Sequence, residues 1–193
     1  MKRKIERILI ANRGEIAVRI IRTCKKMGIA TVIVHSTADR GTPAVRFADQ
    51  AVEIGPPEAA KSYLDIEKIV EACKKTGADA VHPGYGFLSE RPAFASRLEK
   101  EGIIFIGPSP DTIKSMGDKI AARRLVEKSG VPVVPGYDGD DQSDDRLSKE
   151  AAKIGYPIMV KASAGGGGKG MRRVEKHENI MEALSGARRE AKS

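Results

Sequence analysis

The stretch RILIANRGEIAVRIIRTCKKMG, residues 7–28, decides the fold. Arg7 to Ala11 is a short run, apolar after its first residue, that stops at Asn12-Arg13-Gly14, as a buried strand does where it enters a turn. From Glu15 to Met27 the apolar residues then recur at 16, 17, 20, 21, 24 and 27, the spacing of one helix face. A buried strand feeding an amphipathic helix is a βα unit, and the alternation continues outward from it. Thr31 to Val34 reads as a β-branched strand and Ala51 to Ile54 as a weaker one. Ile66, Ile69, Val70 and Cys73 mark a helix stopped by Gly77. Ala80 to His82 is a strand, Ala93 to Lys100 a helix, and Ile103 to Ile106 a last strand before the turn Gly107-Pro108. Parallel strands need crossover connections, which helices supply. Residues 1–115 are therefore predicted to form one open α/β domain around a parallel, Rossmann-like sheet.

Beyond Pro110 the pattern changes. Asp118 is placed to cap a helix running to about Lys128, and Ser129-Gly130-Val131-Pro132 ends it. Asp138 to Asp145 is acidic and reads as a surface loop leading into a helix from Arg146 to Ile154. Pro157 to Ser163 reads as a strand, Ala164 to Gly170 as a glycine run, Met171 to Val174 as a second strand, and His177 to Glu190 as a helix. The expectation is a connecting helical segment over residues 116–135 and a small α+β unit over residues 136–193.

Composition narrows the function classes. With 40% hydrophobic and 31% charged residues, the chain of 193 can bury a core and is not a disordered tract. No stretch has the length of a membrane span, and the basic start leads into an apolar run too short for a signal peptide. The expected location is therefore the cytoplasm or, in a eukaryote, the mitochondrial matrix. A net charge of +8 invites a nucleic-acid reading. The cations, however, fall in short groups on separate elements, and 4% aromatics supply no stacking platform, so no nucleic acid is expected as a partner. Cys24 and Cys73 lie on the apolar stripes of two predicted helices, outside any metal spacing, and read as buried thiols.

The run Gly165-Gly166-Gly167-Gly168-Lys169-Gly170 is the sharpest chemical signal. A P-loop would need Gly where Ser163 stands and Ser or Thr where Gly170 stands. A dinucleotide fingerprint joins a strand to a helix, whereas this run joins two strands. What remains is a hairpin whose bare N–H groups can close over phosphate oxygens, helped by Lys161 and Lys169. Four consecutive glycines exceed what a hairpin turn needs. Arg13 and Glu15 follow the first strand and can contact a ligand or form a polar network at the sheet end. His82 to Glu90 follows a strand at its carboxyl end, where open α/β sheets place ligands, although Pro-Gly and Tyr-Gly are also ordinary turn chemistry. Lys119, near a helix start, can reach a phosphate or remain a solvated surface lysine.

Six segments in order resemble one family. IANRGEIAVRIIR at Ile10 to Arg22, HPGYGFLSE at His82 to Glu90, IFIGPS at Ile104 to Ser109, MGDK at Met116 to Lys119, GVPVVPG at Gly130 to Gly136 and GYPIMVKASAGGGGKGMR at Gly155 to Arg172 are similar to the biotin carboxylase component of acetyl-CoA, propionyl-CoA and pyruvate carboxylases, an ATP-grasp ligase. The resemblance implies an ATP-grasp lid over residues 136–193. It implies ATP-dependent carboxylation of carrier-bound biotin with bicarbonate, with Mg and ATP as cofactors. It makes Lys119, Lys161, Gly167 and Gly168 ATP contacts, with Gly165, Gly166 and Lys169 in the phosphate lid. Tyr85 and Gly86 would line the carboxylation site, and Glu90 would assist there or stabilise the loop. Family members continue well past the point matched by Ser193, through the parts that bring the Mg ligands, the adenine pocket, the bicarbonate arginine and the biotin site. The lid is thus expected to be truncated, and no catalytic residue or metal ligand is expected within these 193 residues, nor turnover by them alone. A non-catalytic module that contacts a carboxylase partner is the alternative. Biotin carboxyl carrier protein, a carboxyltransferase and a homodimer contact are the partners the resemblance implies.

Overall fold

The computed structural model describes residues 4–117, 119–161 and 170–191. The chain divides into two compact units, Met1–Lys114 and Ser115–Ser193.

In the first unit β1 (Arg7–Ile10), α1 (Gly14–Lys26), β2 (Ala30–Ser36), α2 (Pro43–Phe47), β3 (Gln50–Gly55), α3 (Ile66–Thr76), β4 (Ala80–His82), α4 (Pro92–Lys100) and β5 (Ile104–Phe105) follow in turn. The strands form one parallel sheet in the order β3-β2-β1-β4-β5, with Leu9 opposite Val32 on one side and Val81 on the other. Successive side chains of a strand point to opposite faces. Leu9 therefore packs with Val32, Val70 and Phe94 beneath α3 and α4, while Ile8 and Ile10 pack with Ile21, Ile33 and Ala44 beneath α1 and α2. Both faces are covered, which explains why β1 reads as a continuous apolar run and not as an alternating one. Burial of a side chain such as Leu9, fully inaccessible here, contributes about 2 kcal/mol. Cys24 and Cys73 are both buried, each on the inner face of its helix.

Local signals set the helix ends. The Asp65 carboxylate accepts the Lys68 N–H at 3.2 Å and caps α3, and Gly77 closes the helix in the left-handed region at φ 65°. Two helices were not anticipated from the pattern. α2 has five residues, too few for a period to show, and α5 (Pro110–Gly117) buries only Ile113. The signal for α5 was its start, where the Ser109 hydroxyl accepts the Thr112 N–H at 3.3 Å with Pro110 just inside.

The second unit contains α6 (Lys119–Lys128), α7 (Asp144–Ile154), β6 (Ile158–Lys161), β7 (Met171–Val174) and α8 (Ile180–Ala191). Strands β6 and β7 are antiparallel, with Ile158 opposite Val174 and Lys161 opposite Met171. Val174 packs against Ala151 of α7 and Ile180, Ala183 and Leu184 of α8, with Ile158 and Val160 alongside. The Ser143 hydroxyl accepts the Arg146 N–H at 3.3 Å to start α7. The acidic segment before it is tied down by Arg124, which ion-pairs with Asp138 and Asp140, and by Arg188, which donates to the Gln142 carbonyl at 2.7 Å and ion-pairs with Asp144 at the helix start. Asp118 and the glycine run through Lys169 lie outside the described residues. Among the described residues, no helix is long and apolar enough to cross a membrane.

Candidate functional site

In the first unit the strand order reverses direction at β1, with β2 and β3 built on one side and β4 and β5 on the other. Such a switch point opens a crevice at the carboxyl ends of the two strands that flank it, here β1 and β4. Two turns meet there. Asn12, 4% exposed, donates both amide hydrogens across the crevice, to the carbonyls of Pro83 and Tyr85, each at 2.8 Å. Its Oδ1 accepts the Arg13 N–H at 2.9 Å. The Gly84 N–H donates to His82 Nδ1 at 3.0 Å, which requires that nitrogen to be unprotonated. Burial, aided by the positive charge of Arg19, pushes the His82 pKa below its usual value and keeps the ring neutral. His82 thus acts as an acceptor that shapes the turn. Tyr85, 70% exposed, projects from this loop, and Gly86 and Glu90 are exposed beside it.

Arg13 belongs to a polar network. Its Nη1 meets Asp39 Oδ2 at 3.3 Å, and its guanidinium lies 5.5 Å from the centre of the Tyr63 ring and 5.7 Å from that of Phe87. Those two rings stack with centres 5.0 Å apart. The same Asp39 oxygen accepts from the Tyr63 hydroxyl at 2.7 Å and from Ser36 Oγ at 2.9 Å. Burial alone would raise the Asp39 pKa, but the hydrogen bonds from Tyr63, Ser36 and Arg13 together outweigh it and hold the carboxyl below the usual range. Glu15 is exposed in the first turn of α1, away from this set of bonds. The residue that sequence reasoning passed over is Asn12. Its signal was its position, an amide directly after a buried central strand.

In the second unit the hairpin has two unlike faces. Ile158, Val160 and Val174 turn inward, so Met159, Lys161, Met171 and Arg173 share the outer face. Met159 and Met171 are each 45% exposed, and each stands directly opposite a cation, Arg173 and Lys161 respectively. A cleft of about 800 Å³ runs beside β6, with Val134, Tyr137, Tyr156, Lys161 and Arg173 among its walls. Polarizable, unbranched Met side chains suit a flat aromatic ligand, and flanking cations suit an anionic one. Lys161 ends β6 and Lys119 begins α6, while Gly165, Gly166, Gly167, Gly168 and Lys169 lie outside the described residues. Neither methionine was singled out from the sequence, where each reads as an ordinary strand residue. Among the described residues no group of three His, Cys, Asp or Glu side chains converges to hold a metal.

Residues 4–113 match the family described as biotin carboxylase, N-terminal domain, and residues 118–193 match carbamoyl-phosphate synthase L chain, ATP binding domain. A parallel α/β unit followed by an ATP-binding unit with a small antiparallel sheet places the chain in the ATP-grasp class of ligases. It belongs to the biotin carboxylase family. The biotin carboxylase of Haemophilus influenzae is 54% identical over 190 residues, covering 98% of this chain and 42% of that protein. The mitochondrial methylcrotonoyl-CoA carboxylase subunit alpha of Oryza sativa subsp. japonica is 53% identical over 187 residues, covering 97% of this chain and 25% of that protein. Among solved structures, the Campylobacter jejuni biotin carboxylase–beta-gamma-ATP complex superposes with a TM-score of 0.91 at 45% identity, over 97% of this chain and 42% of that one. The biotin carboxylase domain dimer of Hydrogenobacter thermophilus 2-oxoglutarate carboxylase, in complex with MgADP, ADP and bicarbonate, gives 0.89 at 42% identity, over 98% and 42%. The chain spans less than half the length of these relatives.

Proposed function

We propose that this chain supplies the nucleotide-covering hairpin and the biotin-facing loop of a biotin carboxylase, which carboxylates carrier-bound biotin at the expense of ATP. In that reaction a bicarbonate oxygen attacks the γ-phosphorus of ATP and ADP leaves, giving carboxyphosphate. Its breakdown releases phosphate and CO2, and the ureido nitrogen of biotin takes up the CO2 as it gives up its proton. Transfer of this kind depends on positioning and charge neutralisation. Lys119 and Lys161 neutralise phosphate charge, and Gly165 to Lys169 lay backbone N–H groups over the phosphates and exclude water from an intermediate that water would destroy. Tyr85, Gly86 and Glu90 line the place where biotin is carboxylated. Mg accompanies the phosphates, and none of the residues described here is assigned to it. The domain reading follows, with residues 1–115 as the α/β domain, 116–135 as the connecting helix and 136–193 as the lid. Turnover, the biotin carrier and the carboxyltransferase belong to the longer enzyme.

The observation that carries the nucleotide assignment is the outer face of the hairpin, with Met159 and Met171 exposed opposite Arg173 and Lys161. It is tested by labelling the methionine methyl groups and titrating the 193-residue chain with MgATP by NMR. Met159 and Met171 are expected to shift, weakly and saturably, while Met27 stays in place, and Lys161→Ala should reduce the response several-fold. Equal small shifts at all methionines, or none, would refute the assignment. Bicarbonate-dependent ATP cleavage by this chain alone would refute the division of labour.

A further inference from the structure

Asn12 lies in the turn between β1 and α1, and its side chain has no donor to spare for a ligand. Both amide hydrogens are committed to the carbonyls of Pro83 and Tyr85, and Oδ1 to the Arg13 N–H. The residue between those two carbonyls is Gly84, at φ +66°, where a Cβ would stand 2.6 Å from Asn12 Nδ2. Only a residue without a side chain lets the amide reach both carbonyls. The loop is gripped again three residues on. Phe87 holds a left-handed φ of 44°, uncommon for a non-glycine residue, with its ring stacked on Tyr63 beneath the Arg13 guanidinium. Arg13 and Tyr63 are in turn fixed by one oxygen of Asp39. Between the two grips Tyr85 stands 70% exposed, on a backbone it does not itself hold in place.

We propose that Asn12 is a positioning residue for the carboxylation site. Its amide, anchored on the central strand of the sheet, sets the backbone path from Pro83 to Tyr85 and so the point at which Tyr85 and Gly86 meet the biotin ring. The Arg13–Asp39 pair sets the exit of the same loop at Phe87. The inference rests on the reading of this loop as biotin-facing, and it assigns the work to donated hydrogen bonds, not to the volume of the side chain.

The experiment uses the 193-residue chain with Asn12→Asp, which keeps the shape of the side chain and removes both donors. Amide hydrogen exchange is followed by NMR at Gly84 and Ser89, whose N–H groups bond within the loop to His82 Nδ1 and the Gly86 carbonyl. Saturation transfer from the Tyr85 ring to free biotin is read on the same samples. Exchange at both amides is expected to rise roughly tenfold, the scale of losing two hydrogen bonds, while β1 and β2 amides keep their protection and the biotin signal falls. Unchanged exchange in Asn12→Asp would mean the side chain only fills space, and the proposal would be overturned. Raised exchange in a chain whose wild type gives no biotin signal would remove the biotin reading and leave the positioning role standing. Should Asn12→Asp fail to fold, Gly84→Ala displaces the same amide from the opposite side and carries the same expectations.

Discussion

Cys73 and Tyr63 are both deeply buried, and both keep their protons far longer than exposed groups would. Burial pushes the Cys73 thiol up to about 12 from an ordinary 9.0, and burial together with the bond to Asp39 pushes Tyr63 up to about 12 from 10.0. The sign follows from which state loses the proton first. A raised pKa in the folded chain means the unfolded chain ionises at lower pH, so these groups contribute stability that is intact below pH 9 and drains away as pH climbs toward 12. Each titrating group adds a slope of about 1.4 kcal/mol per pH unit within its window. Denaturant midpoints measured from pH 8 to 11.5 are expected to fall steadily from about pH 9. In Cys73→Ala the fall should be shallower between pH 9 and 10, where burial of Cys24 still raises its thiol from 9.0, and should steepen above pH 10 as Tyr63 titrates, at the expense of roughly 1 kcal/mol at neutral pH. A midpoint that stays flat to pH 11.5 would contradict the burial of both groups.

At the scale of elements, each helix is stabilised by what caps it as well as by what it covers. Asp65→Ala removes the acceptor for the Lys68 N–H at the start of α3, a helix that places Ile69, Val70 and Cys73 in the core. The expected loss is about 1 kcal/mol, seen as a fall of about 4 °C in the melting midpoint, whereas Asp65→Asn, which still accepts, should retain most of it. Equal losses in the two variants would argue that the carboxylate acts through charge alone. Elements of this kind were legible from the sequence because their signals are local: an apolar period of ten or more residues, an acidic cap, a glycine stop. The α/β sheet followed from the alternation around residues 7–28, and the helix–hairpin–helix order from the residues around β6 and β7. α2 and α5 were not legible, since five residues, or one buried side chain, leave no period to read. The candidate site was legible only in part. Tyr85, Gly86 and Lys161 stood out by motif, but the opposition of Met159 to Arg173 depends on strand register. Asn12 depends on which loop lies across the sheet from it, 71 residues further along the chain.

For the whole molecule, the +8 charge remains the feature most open to misreading. Many of the cations are spent within the structure. Arg97 joins Glu67 to Glu101, Lys74 meets Glu101, Arg124 and Arg188 hold the acidic segment, and Arg40 meets Glu53. A duplex oligonucleotide titrated by fluorescence anisotropy at physiological salt should therefore bind more weakly than about 100 µM, the loose end of non-specific association. A micromolar affinity that collapses between 50 and 200 mM salt would instead reveal a contiguous basic face.

The strand order β3-β2-β1-β4-β5 also bears on how the protein is made. β1 leaves the ribosome first, β2 settles on one side of it and β3 outside that, then β4 takes the other side and β5 follows. Every strand joins an edge that already exists, and none has to be inserted between two that have formed. The first 114 residues can thus assemble outward from their own beginning at the pace of translation, so that when the hairpin of the second unit emerges, the sheet that carries Asn12 and Tyr85 is already in place.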